Sequence, residues 1–275
     1  MESCAGGACF QERLKILTIE LSSNCTAQYR KIAERIVLRR LYTFLSPFLT
    51  SKQSGFRIKD STTSQLIRLV QEWSTAMDSS LLVGVVFFDM KKAFDRVCLP
   101  GLLHKLRAAG VRGKALDWFS SFLLGRQQCT VVGRSLSPVE DLHAGVPQGA
   151  ILSPLLFSLY MNDIVQATGA DVNLFADDTS VCVTDSTASG LKLKLQATVD
   201  RLAAWFASWA LTVNGNKSAL MVFTTKRSMP SVSISIAGEP ISHVLTHKHV
   251  GLMFDCRLSW SAHTAALITK VFRRI

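Results

Sequence analysis

The sequence contains no apolar run that could cross a membrane and no recognisable export signal. Its longest clean apolar run, LLVGVVFF at residues 81–88, is far shorter than the roughly 20 residues that a spanning helix needs. The N-terminal stretch MESCAGGACFQERLK lacks the basic start and the apolar block of a secretory signal. The mean hydropathy of +0.24 is high, but these absences argue against insertion in a membrane and against secretion.

Cysteines with metal-ligand spacing are also lacking. The seven cysteines are scattered, odd in number and without a CxxC pair. This usage is typical of reduced thiols in an intracellular protein, and it favours neither a zinc site nor a disulfide framework. Three nearby histidines, His243, His247 and His249, have no cysteine or acid at ligand spacing, so they do not predict a zinc site either.

Acidic residues are too few to balance the basic ones. The chain has 31 Lys and Arg against 20 Asp and Glu, which gives a formal net charge of +11. Such an excess favours a polyanionic partner, either nucleic acid or an anionic membrane face. A basic protein without such a partner has the same composition, and charge alone leaves both interpretations open.

Residues 29–49 have the period of an amphipathic helix. One face is predicted to be apolar and buried, and it consists of Ile32, Ile36, Leu41 and Leu45. A basic stripe with a spacing of four residues is predicted on another face, and it consists of Lys31, Arg35 and Arg39. Such a stripe is more often a solvated surface than a phosphate-binding track.

The middle of the chain mixes strand and helix patterns. LLVGVVFFD predicts a strand that is buried on both faces and ends at Asp89. Residues 172–183 predict a hairpin with its turn at Asp177-Asp178, and a helix is predicted to start near Ser153-Pro154, with proline in its first turn. Long helices combined with short, partly antiparallel strands predict an α+β fold.

Three acids are predicted to meet at one edge of the sheet. Asp89 ends one buried strand, and Asp177 and Asp178 lie at the turn of the hairpin. A single Asp after a strand is more often a turn or helix-cap residue, but converging acids are tolerable where a divalent cation neutralises them. Mg²⁺ binds through one or two carboxylates together with substrate phosphates, and a pair of ions can promote phosphoryl transfer.

Six segments, in order, resemble one family. FFDMKKAFDRV, GVPQGAILSPLLFSLYMNDI and LFADDTSV are similar to the three palm motifs of reverse transcriptases, in the form found in LINE-type (non-LTR) retrotransposons. QSGFR before them, and NGNKSALMVF and HVGLMFDCRLSWSAH after them, extend the resemblance over roughly residues 29–263. The resemblance implies an α+β right-hand polymerase fold with palm and fingers and a truncated thumb.

The resemblance also implies roles for the matched acids and for one lysine. Asp89 and Asp177 would be the metal-binding acids, with Asp178 as the second acid of the turn. Lys217 matches the residue proposed to give a proton to the leaving pyrophosphate. A solvated surface lysine is an equally reasonable interpretation of that position.

The remaining matched residues would contact the nucleotide or the primer. Phe94 matches the side chain that abuts the sugar and excludes a 2′-hydroxyl, and Gln148 and Gly149 match a turn against the incoming nucleotide. Arg57 matches a fingers residue near the triphosphate. Gly251 falls in the strand that resembles the primer grip.

Departures from the family pattern set the predicted domain boundaries. An Arg-Pro-Ile-Ser stretch usual in the family is replaced here by IELSSNCTAQYR. Residues 1–28 are therefore predicted to be an unassigned segment that is degraded or misjoined. Residues 29–255 are predicted to form the reverse transcriptase domain, and residues 256–275 the start of a truncated thumb.

The predicted function is RNA-directed DNA polymerisation with two Mg²⁺ ions, for which Mn²⁺ can substitute. The expected partners are an RNA template, a DNA primer and dNTPs, with no membrane and no obligate protein partner. The resemblance implies that the protein acts in the nucleus. The alternative is a catalytically inactive remnant of a retroelement that at most binds nucleic acid. An intron maturase or a telomerase is disfavoured by the LINE-like form of the motifs.

Overall fold

The structure, a computed structural model, describes residues 27–58, 60–132 and 135–272. The N-terminal segment predicted to be degraded thus lies almost wholly outside the described residues. The α-helices of the described chain are α1 (Ala27–Leu45), α2 (Thr62–Asp78), α3 (Leu99–Ala108), α4 (Gly113–Leu123), α5 (Ser153–Met161), α6 (Ile164–Thr168), α7 (Ala188–Ser208) and α8 (Ser261–Phe272). A short 3₁₀ helix, Ala93–Arg96, precedes α3.

The strands of the described chain are β1 (Leu82–Phe88), β2 (Arg126–Gln128), β3 (Val131–Val132), β4 (Ser135–Leu136), β5 (Glu140–Leu142), β6 (Val172–Phe175), β7 (Asp178–Asp185), β8 (Ala219–Phe223), β9 (Ser235–Ile236), β10 (Glu239–Pro240), β11 (Ser242–His243), β12 (Thr246–His249) and β13 (Leu252–Asp255). The chain divides into two compact units. The first contains the described residues of 27–50 and 92–162, and the second those of 51–91 and 163–272.

The second unit is built on a five-stranded sheet in the order β11-β8-β1-β7-β6. All neighbours in this sheet are antiparallel except β11 and β8. The central strand β1 is buried along its whole length, because an uninterrupted run of apolar residues suits a strand that is covered on both faces. The predicted strand is therefore confirmed.

Helix α2 covers one face of the sheet. Trp73 of this helix is fully buried, and its ring stacks on Phe223 of β8 with centroids 4.7 Å apart. It also meets Phe254 of β13 edge-on at 5.2 Å. This aromatic cluster belongs to the hydrophobic core between α2 and the sheet.

Helix α7 covers the opposite face. A Cβ placed on Gly84 of β1 would lie 2.6 Å from a side-chain carbon of Leu195 of α7, so the helix approaches the strand as closely as a glycine permits. At the far end of β1, Phe88 meets Phe206 of α7 edge-on at 5.7 Å. The sheet is thus held between two helices, with β1 at its centre.

The first unit contains α1 and α3–α5, with two small antiparallel pairs, β2 with β5 and β3 with β4. The predicted helix start at Ser153-Pro154 is confirmed, since α5 begins at Ser153 with proline in its first turn. The predicted basic stripe of α1 is exposed. No helix of the described residues is both long and apolar enough to span a membrane.

The first half of the buried face of α1 differs from the prediction. Ile32 and Ile36 are 53% and 39% exposed, and the buried face begins instead with Ala33 and Val37. The carboxylate of Glu34, which is also buried, accepts a hydrogen bond of 2.7 Å from the backbone N–H of Ile151. Leu41 and Leu45 are fully buried as predicted, so the difference is confined to the first half of the helix.

Candidate active site

The register of β1 and β7 brings two of the predicted acids together. Phe88 is paired with Thr179 at the end of the ladder. Asp89 follows Phe88, and Asp178 precedes Thr179, so the continued antiparallel register sets these two acids opposite each other. The sheet therefore presents both carboxylates at one end of its central strand pair.

The hairpin turn is shifted by one residue from the predicted position. Phe175 pairs with Asp178, so the two turn residues are Ala176 and Asp177, and Asp178 is the first residue of β7. Ala176 has φ 58°, because two-residue hairpin turns require a positive φ. That conformation is usually reserved for glycine, so the turn is locally strained.

The three acids affect one another electrostatically. The pKa of Asp178 is raised, first because neighbouring protein atoms desolvate its carboxyl and then because the charges of Asp177 and Asp89 repel its own. Asp177 and Asp178 are exposed, and Asp89 is half-buried. Among the described residues, the ion pairs involve other acids, so no lysine or arginine neutralises this group directly.

The turn after α7 holds the backbone of Asp89. The N–H of Asn214 donates to the carbonyl of Asp89 at 2.7 Å, and the N–H of Asp89 donates to Ser218 Oγ at 3.2 Å. Ser218 Oγ in turn donates to the carbonyl of Asn214 at 2.9 Å. The same turn carries the exposed Lys217, whose position is thus tied to that of the acid.

These elements enclose a cavity of about 130 Å³. Its chemistry combines carboxylates, lysines and imidazoles, and its lining consists of Phe87, Phe88, Asp89, Asp178, Lys217, His247, Lys248 and His249. Of the predicted catalytic residues, Asp89, Asp178 and Lys217 therefore share one cavity. Asp177 lies next to it on the turn.

Two histidines of β12 contribute to this cavity, which the sequence pattern did not predict. The rings of His247 and His249 pack on Phe87 with centroid distances of 4.3 and 4.9 Å. Burial lowers the pKa of both rings, and that of His249 falls to about 4 with a further contribution from His247. Their alternate positions in the sequence were the available signal, because residues two apart on a strand share a face.

A second cavity lies in the first unit and contains three other predicted residues. Its volume is about 340 Å³, and it is lined by Phe94, Pro147, Gln148, Gly149, Ala150, Ser153 and Pro154. Half-buried Phe94 stacks on Phe157 with centroids 4.4 Å apart. Gln148 Nε2 donates to Asp95 Oδ1 at 2.6 Å. Gly149 has φ 78° and open space where a Cβ would stand.

Residues 21–251 match the family described as reverse transcriptase (RNA-dependent DNA polymerase). The chain belongs to the reverse transcriptase family. It is 32% identical over 258 residues to the RNA-directed DNA polymerase from mobile element jockey of Drosophila melanogaster. The aligned segment covers 88% of this chain and 28% of that protein. It is 31% identical over 261 residues to the probable RNA-directed DNA polymerase from transposon X-element of the same species. That alignment covers 89% of this chain and 28% of the relative. These relatives confirm the resemblance to non-LTR retrotransposons.

Solved structures confirm the reverse transcriptase fold. Apo telomerase from Candida tropicalis, truncated from the C-terminal domain, is similar with a TM-score of 0.57 at 15% identity. The match covers 83% of this chain and 44% of that one. The predicted α+β fold of palm and fingers is thereby confirmed. The chain spans 27–28% of the length of the first curated relatives that it matches.

The last two predicted site residues, Arg57 and Gly251, are not among the lining residues of the two cavities described above. Gly251 has φ 86° and follows Val250 with φ 46° in the two-residue turn that joins β12 to β13. Two positive φ values in succession are typical of a hairpin turn with glycine in second place. Half-buried Arg57 follows Phe56, whose φ is 62°. The boundaries predicted at residues 29 and 255 stay predictions.

The side chains of the cavity that contains Asp89 and Asp178 supply only part of the ligand set that Mg²⁺ needs. Within residues 27–58, 60–132 and 135–272, no three His, Cys, Asp or Glu side chains are arranged to hold an ion by themselves. Mg²⁺ does not require such a cage, since it binds through one or two carboxylates and completes its shell with phosphate oxygens and water. Asp89 and Asp178 offer oxygen donors of that kind, so the site fits Mg²⁺ that arrives with a phosphate-bearing substrate.

Proposed function

We propose that the chain is an RNA-directed DNA polymerase that transfers a nucleotide from a dNTP to a primer 3′-OH on an RNA template. The observation that carries this proposal is that Asp89, directly after β1, and Asp178, at the start of β7, line one cavity together with Lys217. Carboxylates that no ion pair of the described residues neutralises, in one cavity with an ammonium group, suit metal-assisted phosphoryl transfer. Membership of the reverse transcriptase family supports the same reaction.

The acids are proposed to bind two Mg²⁺ ions, for which Mn²⁺ can substitute. Asp89 and Asp178 would contribute from the cavity and Asp177 from the turn. When bound, the ions would make the primer hydroxyl a better nucleophile and stabilise the negative charge of the leaving pyrophosphate. Lys217, which is exposed in the same cavity, would place its ammonium group against the phosphates and donate a proton to pyrophosphate.

The second cavity is proposed to contact the nucleotide. The ring of Phe94 is supported from behind by Phe157 and would exclude a 2′-hydroxyl by its bulk. The absence of a side chain at Gly149 leaves backbone open to close approach, and the amide of Gln148 is held in place by Asp95. Arg57 would bind triphosphate oxygens through its guanidinium, and the Gly251 turn would contact the primer.

The proposed partners are an RNA template paired with a DNA primer. The net charge of +11 and the exposed basic stripe of α1 (Lys31, Arg35 and Arg39) support binding to phosphate backbones. Such binding releases counterions and therefore weakens steeply with salt. A nuclear location follows from the proposed reaction of a retrotransposon on chromosomal DNA.

Primer extension on poly(rA)/oligo(dT) with Mg²⁺ tests the proposal. Asp177→Asn keeps the size of the side chain but removes its charge, and it should reduce extension by about 10²–10³-fold, the usual cost of one lost electrostatic stabiliser. Asp117→Asn, the same change at an exposed residue of α4, is the matched control and should extend normally. Unchanged extension by Asp177→Asn would refute the metal assignment. Salt-dependent binding without any extension would identify an inactive remnant.

A further inference from the structure

A short segment closes the outer edge of the hairpin that carries Asp177. Residues 52–55, here named the edge segment, run beside β6 through a parallel bridge between Gln53 and Leu174. The N–H of Ser54 donates to the carbonyl of Leu174 at 2.9 Å, and the N–H of Leu174 donates to the carbonyl of Lys52 at 3.0 Å. The edge segment therefore adds one isolated bridge to the edge of the sheet, next to the turn.

Gly55 of the edge segment lies directly against the backbone of that turn. A Cβ at this position would overlap the backbone nitrogen of Ala176 and would lie 3.0 Å from the carbonyl carbon of Phe175. Both are main-chain atoms, which cannot rotate away as the end of a side chain can. The φ of Gly55 is not in the left-handed region, so glycine is required here by space and not by conformation.

The edge segment is itself held firmly. Arg68 of α2 donates from Nη2 to Ser54 Oγ at 3.1 Å. The ammonium of Lys52 lies 2.5 Å from the carboxylate of Asp171, next to the start of β6. Gln53 is fully buried. Because the edge segment has these anchors and the turn projects from the sheet, a side chain at position 55 would displace the turn and not the segment.

We propose that Gly55 is a positioning residue for the metal-binding acids, acting through the turn at Ala176 and Asp177. The inference rests on the proposed function, because it concerns where those acids are held. The strained φ of Ala176 supports it, since strained backbone persists only where its surroundings hold it. A Cβ at position 55 would push the turn outward and move Asp177 and Asp178 relative to Asp89.

Binding of Mn²⁺ alone to the full chain, followed by electron paramagnetic resonance, tests the inference. Gly55→Ala should weaken Mn²⁺ binding by about tenfold or more, a typical effect of altering residues that orient metal ligands. It should also speed hydrogen exchange of the turn amides. The matched control is Gly84→Ala, whose added Cβ meets the side chains of Leu191 and Leu195 in the core. This control should lower stability and leave Mn²⁺ affinity unchanged.

The outcomes separate this inference from the proposed function. If Asp177→Asn weakens Mn²⁺ binding and folded Gly55→Ala does not, the positioning role is refuted and the metal site stands. If Asp177→Asn binds Mn²⁺ as the unmodified chain does, the proposed function fails, and with it the positioning role.

If the Gly55→Ala variant does not fold, Arg68→Gln is the variant that tests the inference. This change releases one anchor of the edge segment and adds no atom at the turn. It should weaken Mn²⁺ binding and speed exchange of the turn amides. Wild-type values for both measurements would refute the inference.

Discussion

Replacing His249 by phenylalanine should change how the stability of the protein depends on pH. His249 is only 4% exposed and packs on Phe87, and its Nε2 has no hydrogen-bond partner among the residues that the structure describes. Its neutral ring is therefore buried at the cost of one unsatisfied polar atom. Phenylalanine keeps the ring contact and removes both the polar atom and the group that titrates.

The size of the effect follows from the pKa of His249, which burial and the neighbouring His247 lower from 6.5 to about 4. Above pH 6.5 the imidazole is neutral in both the folded and the unfolded chain. As the pH falls from 6.5 towards 4, the unfolded chain binds a proton that the folded chain does not, so stability is lost in that interval. The loss in the free energy of unfolding amounts to about 2 kcal/mol at about pH 5, and it reaches about 3 kcal/mol once the pH is below both pKa values.

The measurement is urea unfolding, followed by circular dichroism, at about pH 7.5 and about pH 5 without divalent ions. Because carboxylates and lysines line the same cavity, the informative quantity is the difference between variant and wild type at each pH. The free energy of unfolding of His249→Phe, relative to that of the wild type, should be about 2 kcal/mol higher at the lower pH than at the higher pH. The control is His104→Phe, at an exposed position of α3. Its free energy of unfolding relative to that of the wild type should be the same at both pH values. An equal pH dependence of wild type and His249→Phe would refute the reasoning.

Two further predictions concern the second unit. Trp73→Ala should lower the free energy of unfolding by about 3–5 kcal/mol in urea, because Trp73 is fully buried against Phe223; a loss below about 1 kcal/mol would contradict the assigned core. Burial raises the pKa of the Cys182 thiol to about 12, so a thiol reagent at about pH 8 should modify the exposed Cys129 and not Cys182 until urea is added. Mass spectrometry of the peptides checks this, and equal labelling of both thiols in the folded protein would contradict it.

Much of the fold could be predicted where a local pattern has one structural solution. LLVGVVFF is too short for a membrane span and too continuous for a half-exposed strand, and the structure buries all of β1. Proline after Ser153 fixes the start of α5 in the same way. These features depend on neighbours in sequence, which the chain itself displays.

Features set by distant contacts could not be predicted. On α1, Ile32 and Ile36 form as good an apolar stripe as Ala33 and Val37, and the bond from Ile151 to Glu34 favours the second. Tertiary contacts override local apolar pattern in such cases. The hairpin turn is shifted by one residue because the pairing of Phe175 with Asp178 sets the register of β6 against β7.

The candidate site combines several features that are unfavourable for folding alone. Burial and the charges of Asp177 and Asp89 raise the pKa of Asp178, the turn residue Ala176 has a positive φ, and His249 buries a nitrogen without a hydrogen-bond partner among the described residues. Each of these costs stability, and all lie around one end of the sheet. Local rules of stability are usually broken where function requires it. A divalent cation would offset the repulsion between the acids, so the proposed metal site would turn some of these unfavourable features to use.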